Sequence, residues 1–305
     1  MNIELKKDHG LFQRLQNSPP AWWINLKSDE EIYIDVRKDN YLNVYHNGGS
    51  IMKLEGEKEY KAKIHYKYIP LEKVKDYLPI NFQNDSIGFS EHKLIELDNF
   101  SKEPLEKIKK RIRKFYTNAS EKGIQGNYVV KNNYFSKKEK GFFIDTEFQF
   151  ANGRIDMVWV DLETQRIFFI ELKTMNDDRL KIDEKQEQKK NAPDTIGIQL
   201  GKYYKFGTNN VEEIIMYYDR VFSIKKDLGL LPGFVKEQSL TNFELIEKPI
   251  LLIGDCSQAW IDNNVDKLND NIKGVAFGVL CQGIKTNNFR IPYKTSKNCY
   301  RLSRG

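Results

Sequence analysis

Cysteine and histidine are both scarce in this chain, and their placement excludes several function classes. The three cysteines, Cys256, Cys281 and Cys299, are odd in number and far apart, which fits neither a disulfide framework nor a zinc ribbon. The four histidines, His9, His46, His65 and His92, are scattered without ligand spacing, so zinc is not expected. No apolar run reaches the roughly 18–20 residues that a membrane-spanning helix needs. The opening MNIELKKDHG lacks the apolar stretch of a secretory leader, and a cytoplasmic location is the expectation. Internal repeats and low-complexity tracts are also absent.

What remains is an ordinary globular composition. At 305 residues the chain has room for one large or two ordinary domains, with 40% hydrophobic and 30% charged residues. The net charge of +6 leans modestly toward a polyanionic partner. Up to Lys27 the sequence reads as irregular, and Trp22-Trp23, following Pro19-Pro20, is expected to pin this segment to a core. Then come four strand-like runs, EIYIDVR, YLNVYH, SIMKLEG and EYKAKIHYKYI, broken by turns at Lys38-Asp39-Asn40 and Asn47-Gly48-Gly49. In the last run Lys61, Lys63 and Lys67 interleave with tyrosines, a pattern open both to tracking a nucleic-acid backbone and to guarding a sheet edge. These features suggest a small β-rich domain over 1–75, a connector over 76–100 and an α/β domain over 101–305.

The second domain opens with a predicted helix over 101–123, whose apolar stripe is Leu105, Ile108, Ile112, Phe115 and Ala119. Lys109, Lys110, Arg113 and Lys114 crowd its other face, either as a solvated surface or as a phosphate-tracking one. The informative stretch follows, DTEFQFANGRIDMVWVDLETQRIFFIELKT, which reads as three consecutive strands. With Asn152-Gly153 as a hairpin loop, Phe150 pairs with Ile155 and Gln149 with Asp156. Alternation then sets Glu147, Gln149 and Asp156 on one face. The third strand is apolar until Glu171 and Lys173, two apart and pointing the same way. Charge at the end of a buried strand is costly unless paired or metal-bound. Asp156, Glu171 and the Leu172 carbonyl are hard-oxygen ligands suited to Mg²⁺ or Mn²⁺. Lys173 beside them would orient or deprotonate a water, and Glu147 or Gln149 would hold a water that the ion ligates.

Downstream, 176–191 reads as a polar loop or solvated helix, and Asp194 as the N-cap of a helix carrying Gln199 and Tyr203 on one face. A second helix ends near Gly229 or Pro232, and 233–248 reads as linking structure. A strand at PILLIGDC, a helix at AWIDNNVDKLNDNIK and a strand at GVAFGVLCQG then give the order of a right-handed crossover. The closing residues form a basic tail with Lys285, Arg290, Lys294, Lys297 and Arg301.

Asp156, then an intervening hairpin, then Glu171-Leu172-Lys173 resembles the signature of the PD-(D/E)xK nuclease superfamily. GRID at 153–156, ELKT at 171–174 and the pair Gln199 and Tyr203 one helical turn apart are similar to its RecB-like branch, over roughly residues 105–280. The resemblance implies a restriction-endonuclease-like fold, a mixed central sheet flanked by helices. It implies hydrolysis of DNA phosphodiester bonds with Mg²⁺ or Mn²⁺, leaving 5′-phosphate ends, in repair, restriction or defence against mobile elements. Asp156, Glu171, Lys173 and Gln199 would be catalytic. Glu147 would be the upstream acid, although in the family that acid often sits on a preceding helix. Tyr203, Arg154, Lys109, Lys110 and Arg113 would meet nucleic acid. Branch members with an iron–sulfur cluster use four cysteines, so none is expected here. RNA remains open as a substrate beside DNA, and the N-terminal domain is open to a homodimer contact or a partner protein. The competing expectations are a non-catalytic nucleic-acid-binding protein that keeps the fold, and a chain in which these charges form only a buried salt bridge.

Overall fold

Asn47 and Gly48 both take positive φ, 47° and 77°, and fold the chain back into a two-residue hairpin of an antiparallel sheet. The computed structural model describes residues 4–68, 77–83, 86–89, 102–136, 139–151, 153–180, 195–272, 274–282, 289, 291 and 299–301. It is mixed α/β, with two sheets and, among the described residues, seven α-helices. The chain divides into two compact units, Met1–Val130 with Tyr217–Ser239, and Lys131–Met216 with Leu240–Gly305.

The first unit begins with α1 (Gly10–Asn17) and α2 (Ala21–Lys27) where the sequence reads as irregular. His9 caps α1 by accepting from the Leu11 N–H, and Trp22 and Trp23 are buried, which makes α2 the anchor of this segment. Its sheet runs in simple order, β1 (Ile32–Arg37), β2 (Tyr41–His46), β3 (Gly49–Glu55), β4 (Lys61–His65), β5 (Tyr77–Gln83) and β6 (Ser86–Phe89), each antiparallel to the next. Strands β5 and β6 lie in the segment read as a connector. They satisfy the ladder groups that β4 would otherwise leave unpaired at an edge. The 1–75, 76–100 and 101–305 division is therefore corrected on two counts. The first sheet extends past residue 75, and the helix that follows residue 101 belongs with it.

That helix, α3 (Lys102–Phe115), stops before residue 123, and a second one, α4 (Glu121–Tyr134), follows it. The break has a local cause. The Ser120 hydroxyl accepts from the Gly123 N–H, starting a new helix, and Phe115 is left exposed instead of completing the apolar stripe. Gly123 and Gly126 make α4 a poor helix by propensity, yet a glycine is needed at 126. A Cβ there would lie 2.4 Å from the Gly48 nitrogen and 2.7 Å from the Asn47 carbonyl carbon.

The second unit is built on a mixed sheet. Its strands are β7 (Gly141–Phe150), β8 (Gly153–Asp161), β9 (Arg166–Thr174), β10 (Glu244–Gly254), β11 (Gly278–Gln282) and β12 (Cys299–Arg301), arranged in the order β12-β11-β10-β9-β8-β7. Strands β7, β8 and β9 form an antiparallel meander, β9, β10 and β11 run parallel, and β12 is antiparallel to β11. Parallel neighbours need crossovers, supplied by α5 (Ile196–Asn209) before β10 and by α7 (Gln258–Ile272) before β11; α6 (Val211–Asp227), between α5 and β10 in the chain, falls mostly in the first unit. Central β9 is buried from Ile167 to Lys173, the continuous pattern of a strand covered on both faces. Ile196 and Leu200 of α5 and Ile261, Val265 and Leu268 of α7 pack with Leu251, Ile253 and Val279 in one apolar cluster. Elsewhere in the unit, Asn133 exchanges two 2.9 Å hydrogen bonds with the Phe143 backbone.

Three local readings change. Strand β10 begins at Glu244, inside the stretch read as a linker, with a register shift between Ile246 and Ile250. Thr195 rather than Asp194 caps α5, its hydroxyl accepting from the Ile198 N–H. Residues 181–191 of the polar segment 176–191, and most of the basic tail, lie outside the described residues. Among the described residues no helix is long and apolar enough to cross a membrane.

Gly126→Ala should destabilise the protein by about 2 kcal/mol or more, because the added methyl meets backbone that cannot rotate away. Gly201→Ala is the control. Its Cβ would find only the Val275 side chain at 3.8 Å, so the better helix former should be neutral or stabilising by up to about 1 kcal/mol. Denaturant melts of the two variants beside the parent check both.

Candidate active site

The β7–β8 hairpin pairs Phe150 with Gly153, Gln149 with Arg154 and Phe148 with Ile155. The loop is thus earlier than Asn152-Gly153, and the register is displaced by two from the one read in the sequence. A displacement of two preserves the faces, because side chains alternate with period two. Asp156 keeps its orientation, and Asp156 and Glu171 lie one step beyond the last β8–β9 pair, Met157 with Ile170. On the other side of β9, Glu171 pairs with Leu251 and Lys173 with Ile253, whose side chains belong to the cluster under α5. The same face of β9 therefore meets α5, and this brings Tyr203 to Glu171.

Five side chains and two backbone carbonyls form one connected centre. Asp156 Oδ2 accepts from the Leu172 N–H at 2.9 Å. The Lys173 ammonium donates to Glu171 Oε1 and to the Leu172 carbonyl at 2.8 Å, and lies 3.8 Å from Asp156 Oδ2. The Tyr203 hydroxyl contacts Glu171 Oε2 at 2.6 Å and also the Arg154 carbonyl. Gln199 Nε2 donates to that hydroxyl at 3.0 Å. Glu171 and Lys173 are 0% and 1% exposed, and Asp156 is 6% exposed.

Burial pushes the Glu171 carboxyl up to about 8, helped by the Asp156 carboxylate and opposed by Lys173 and the Tyr203 hydrogen bond. Proton counting around Tyr203 points the same way. One phenol proton cannot serve both the Arg154 carbonyl and Glu171 Oε2, whereas a protonated Glu171 supplies the second. Burial first, and then the Glu171 and Asp156 charges, hold the Tyr203 phenol far above its ordinary range.

The other predicted residues lie elsewhere or do different work. Glu147, at φ 57°, pairs with the Arg154 guanidinium at 2.9 Å, so its carboxylate is engaged with a cation rather than grouped with Asp156 and Glu171. Arg154 is about half-exposed at its side chain, and its carbonyl is the part that enters the centre. Tyr203, expected to meet nucleic acid, is instead buried, its hydroxyl engaged inside the fold. Lys109 is corrected likewise. It is buried in the first unit, where Asp29, Glu31 and Glu106 hold its ammonium at 2.7–2.8 Å. Arg113 bridges both oxygens of Glu31, and Lys110 is exposed.

One acid escaped the sequence reading. Asp177 follows β9 closely and takes a fork of hydrogen bonds from Arg179 at 2.9 and 2.6 Å. Burial pushes its carboxyl up, but Arg179 outweighs this and holds it below the ordinary range, with the Lys173 charge adding to the effect. Its signal in the sequence was only an Asp-Asp-Arg triplet after the strand.

Among the described residues, no group of three or more His, Cys, Asp or Glu side chains gathers to hold a metal ion. The centre nevertheless suits a hard divalent cation, which is commonly held by one or two carboxylates with waters completing the shell. Asp156, Glu171 and the Leu172 carbonyl are such donors. Gln199 Oε1, buried and without a hydrogen-bond partner among the described residues, is an acceptor that a water would satisfy.

The folded chain holds the Glu171 proton to a higher pH than the unfolded chain. Its contribution to stability is therefore complete below the ordinary carboxylate range and is lost as pH rises through about 8. In chelator, unfolding free energy should fall by a few kcal/mol across that window, and Glu171→Gln should flatten the fall; denaturant melts at a series of pH values measure it. Tyr203→Phe, which strips partners from Arg154, Glu171 and Gln199, should cost about 1–3 kcal/mol at any of these pH values. No family model, curated protein or solved structure matches the chain.

Proposed function

We propose that the protein is a metal-dependent nuclease that hydrolyses phosphodiester bonds in DNA, with the second unit a restriction-endonuclease-like domain resembling the RecB-like branch of the PD-(D/E)xK superfamily. The observation that carries this reading is the buried juxtaposition of Asp156, Glu171 and Lys173 at the end of β9, with the Leu172 carbonyl between them. The strand order, an antiparallel meander entering a parallel segment through a crossover helix, supports the fold assignment.

Asp156, Glu171 and the Leu172 carbonyl would hold Mg²⁺ or Mn²⁺, which when bound supplies Lewis-acid stabilisation of the charge that builds on the phosphate. The chain's own residues do the rest. Tyr203 and Gln199 fix the Glu171 carboxyl from the helix side, so its oxygens are aimed before substrate arrives. The Lys173 ammonium, once directed at substrate, orients the attacking water and stabilises negative charge on the phosphoryl oxygens. Burial strengthens that interaction, because little water competes inside the site. Glu147 and half-exposed Arg154 form a polar rim on the same face.

A second reading has one specific observation in its favour. Lys173 already satisfies Glu171 and the Leu172 carbonyl, as a purely structural buried ion pair would. It predicts no thermal shift with Mn²⁺, whereas the nuclease reading predicts stabilisation.

The deciding experiment incubates the full chain with linear duplex, circular duplex and single-stranded DNA, in EDTA, Mg²⁺ or Mn²⁺, beside Lys173→Ala. Cutting should need the metal and fall by about 10²–10³-fold or more in the variant. Cleavage by Lys173→Ala at the parental rate would remove this mechanism. A parent that binds DNA without cutting it in either metal would leave a non-catalytic nucleic-acid-binding protein.

A further inference from the structure

Lys173 is usually asked to act on water or phosphate, yet here its ammonium sits among the oxygens that a divalent ion would use. It donates to Glu171 Oε1 and to the Leu172 carbonyl at 2.8 Å, and it lies 3.8 Å from Asp156 Oδ2. These are one oxygen from each of the three donors assigned to the metal. The side chain is 1% exposed, so water does not screen it from them. From these contacts we infer that Lys173 is the site's resident cation when no metal is bound, and that a divalent ion enters by displacing it. The inference rests on the nuclease reading and adds a control on metal loading to it.

The physical case is one of shared space and shared charge. Two carboxyls close together and buried need a proton or a cation between them. The chain supplies a cation two residues after Glu171, on the same face of the same strand. An ammonium and a divalent ion cannot occupy one set of oxygens together, because their charges repel at that range in a medium of low dielectric. The lysine stem has four rotatable carbons, enough for the ammonium to leave Glu171 without moving β9. Departure from these oxygens is also what frees it to face a phosphate. Metal binding and the arming of Lys173 are then one event, and a site without metal keeps its reactive amine tied down.

Displacement carries a penalty in apparent affinity, since the ion meets a competent site only in the fraction of molecules whose lysine has swung away. Lys173→Met keeps the stem's volume and removes the charge, and Lys173→Gln retains a donor beside Glu171 for use if the methionine variant does not fold. Mn²⁺ affinity is read by calorimetry and by paramagnetic relaxation of water, neither of which depends on cleavage. Each neutral variant should bind Mn²⁺ about tenfold or more tightly than the parent. In the parent, the side-chain ammonium resonance of Lys173, assigned by its loss in Lys173→Gln, should shift as Mg²⁺ saturates the site. Parental affinity equal to or tighter than that of the neutral variants, or a lysine resonance that stays fixed while metal binds, overturns the displacement and leaves the nuclease reading intact. Absence of Mn²⁺ binding to the parent and to both variants overturns the two together.

Discussion

A carboxyl and an ammonium buried two residues apart on the central strand of a sheet are the constraint around which the second unit is arranged. Glu171 and Lys173 are almost wholly removed from water, and removing such groups from water costs several kcal/mol each before pairing is counted. Apolar pairing elsewhere on β9 must offset that. Ile167 to Ile170 are fully buried, flanked by β8 on one side and β10 on the other. Replacing a buried ion pair by apolar residues of like volume is often neutral or stabilising. The pair is therefore poorly explained as a device for stability and better explained as one that prepares a charged centre of low dielectric.

Helix α5 completes that preparation. Its buried stripe of Ile196, Leu200, Tyr203 and Gly207 follows helical spacing, so the residue that packs the core at position 203 also delivers a hydroxyl to Glu171. Gln199, one turn earlier, orients that hydroxyl. Each side chain of the centre stands on a strand or helix interior, and such elements hold geometry more closely than loops do. The polar network and the hydrophobic packing are thus two aspects of one helix position.

Much of this was legible in the sequence because parity is robust. The hairpin register was misplaced by two residues, yet Asp156 kept its face, and Glu171 and Lys173 kept theirs through their spacing on one strand. The crossover followed from the order of apolar runs, and the mixed sheet from the resemblance. What escaped depends on long-range packing. Tyr203 looked like a candidate surface contact because a tyrosine's direction on a helix cannot be read without knowing which face is covered. Lys109 looked like one cation among several, but Asp29 and Glu31, about eighty positions earlier, draw it into the first unit. Helix α4 was missed because its glycines argue against a helix, and only the close approach of Gly126 to Gly48 shows why they are tolerated. Strands β5 and β6 carry weak local signals and are defined by pairing to neighbours already in place.

Burial of charge alone does not single out the second centre, since the first unit also hides an acid between cations. There Asp35 accepts from Lys225 on one oxygen at 3.0 Å and from Arg37 on the other at 3.2 Å, and Arg37 also donates to the Tyr45 hydroxyl. Both acid oxygens have donors, as buried polar groups in a structural network should. Around Glu171 the balance differs. The phenol lies between two acceptors, so both are served only when Glu171 carries a proton, and Gln199 Oε1 is buried with no donor among the described residues. A buried centre short of donors is completed by a water or a cation rather than by more packing. The chain's surplus of positive charge, spread over exposed helices and strands and partly matched by neighbouring acids, falls off with screening and does not locate a site. The unpartnered Gln199 oxygen lies instead beside the buried cluster of Asp156, Glu171 and Lys173, on the strands where the sequence placed its acids.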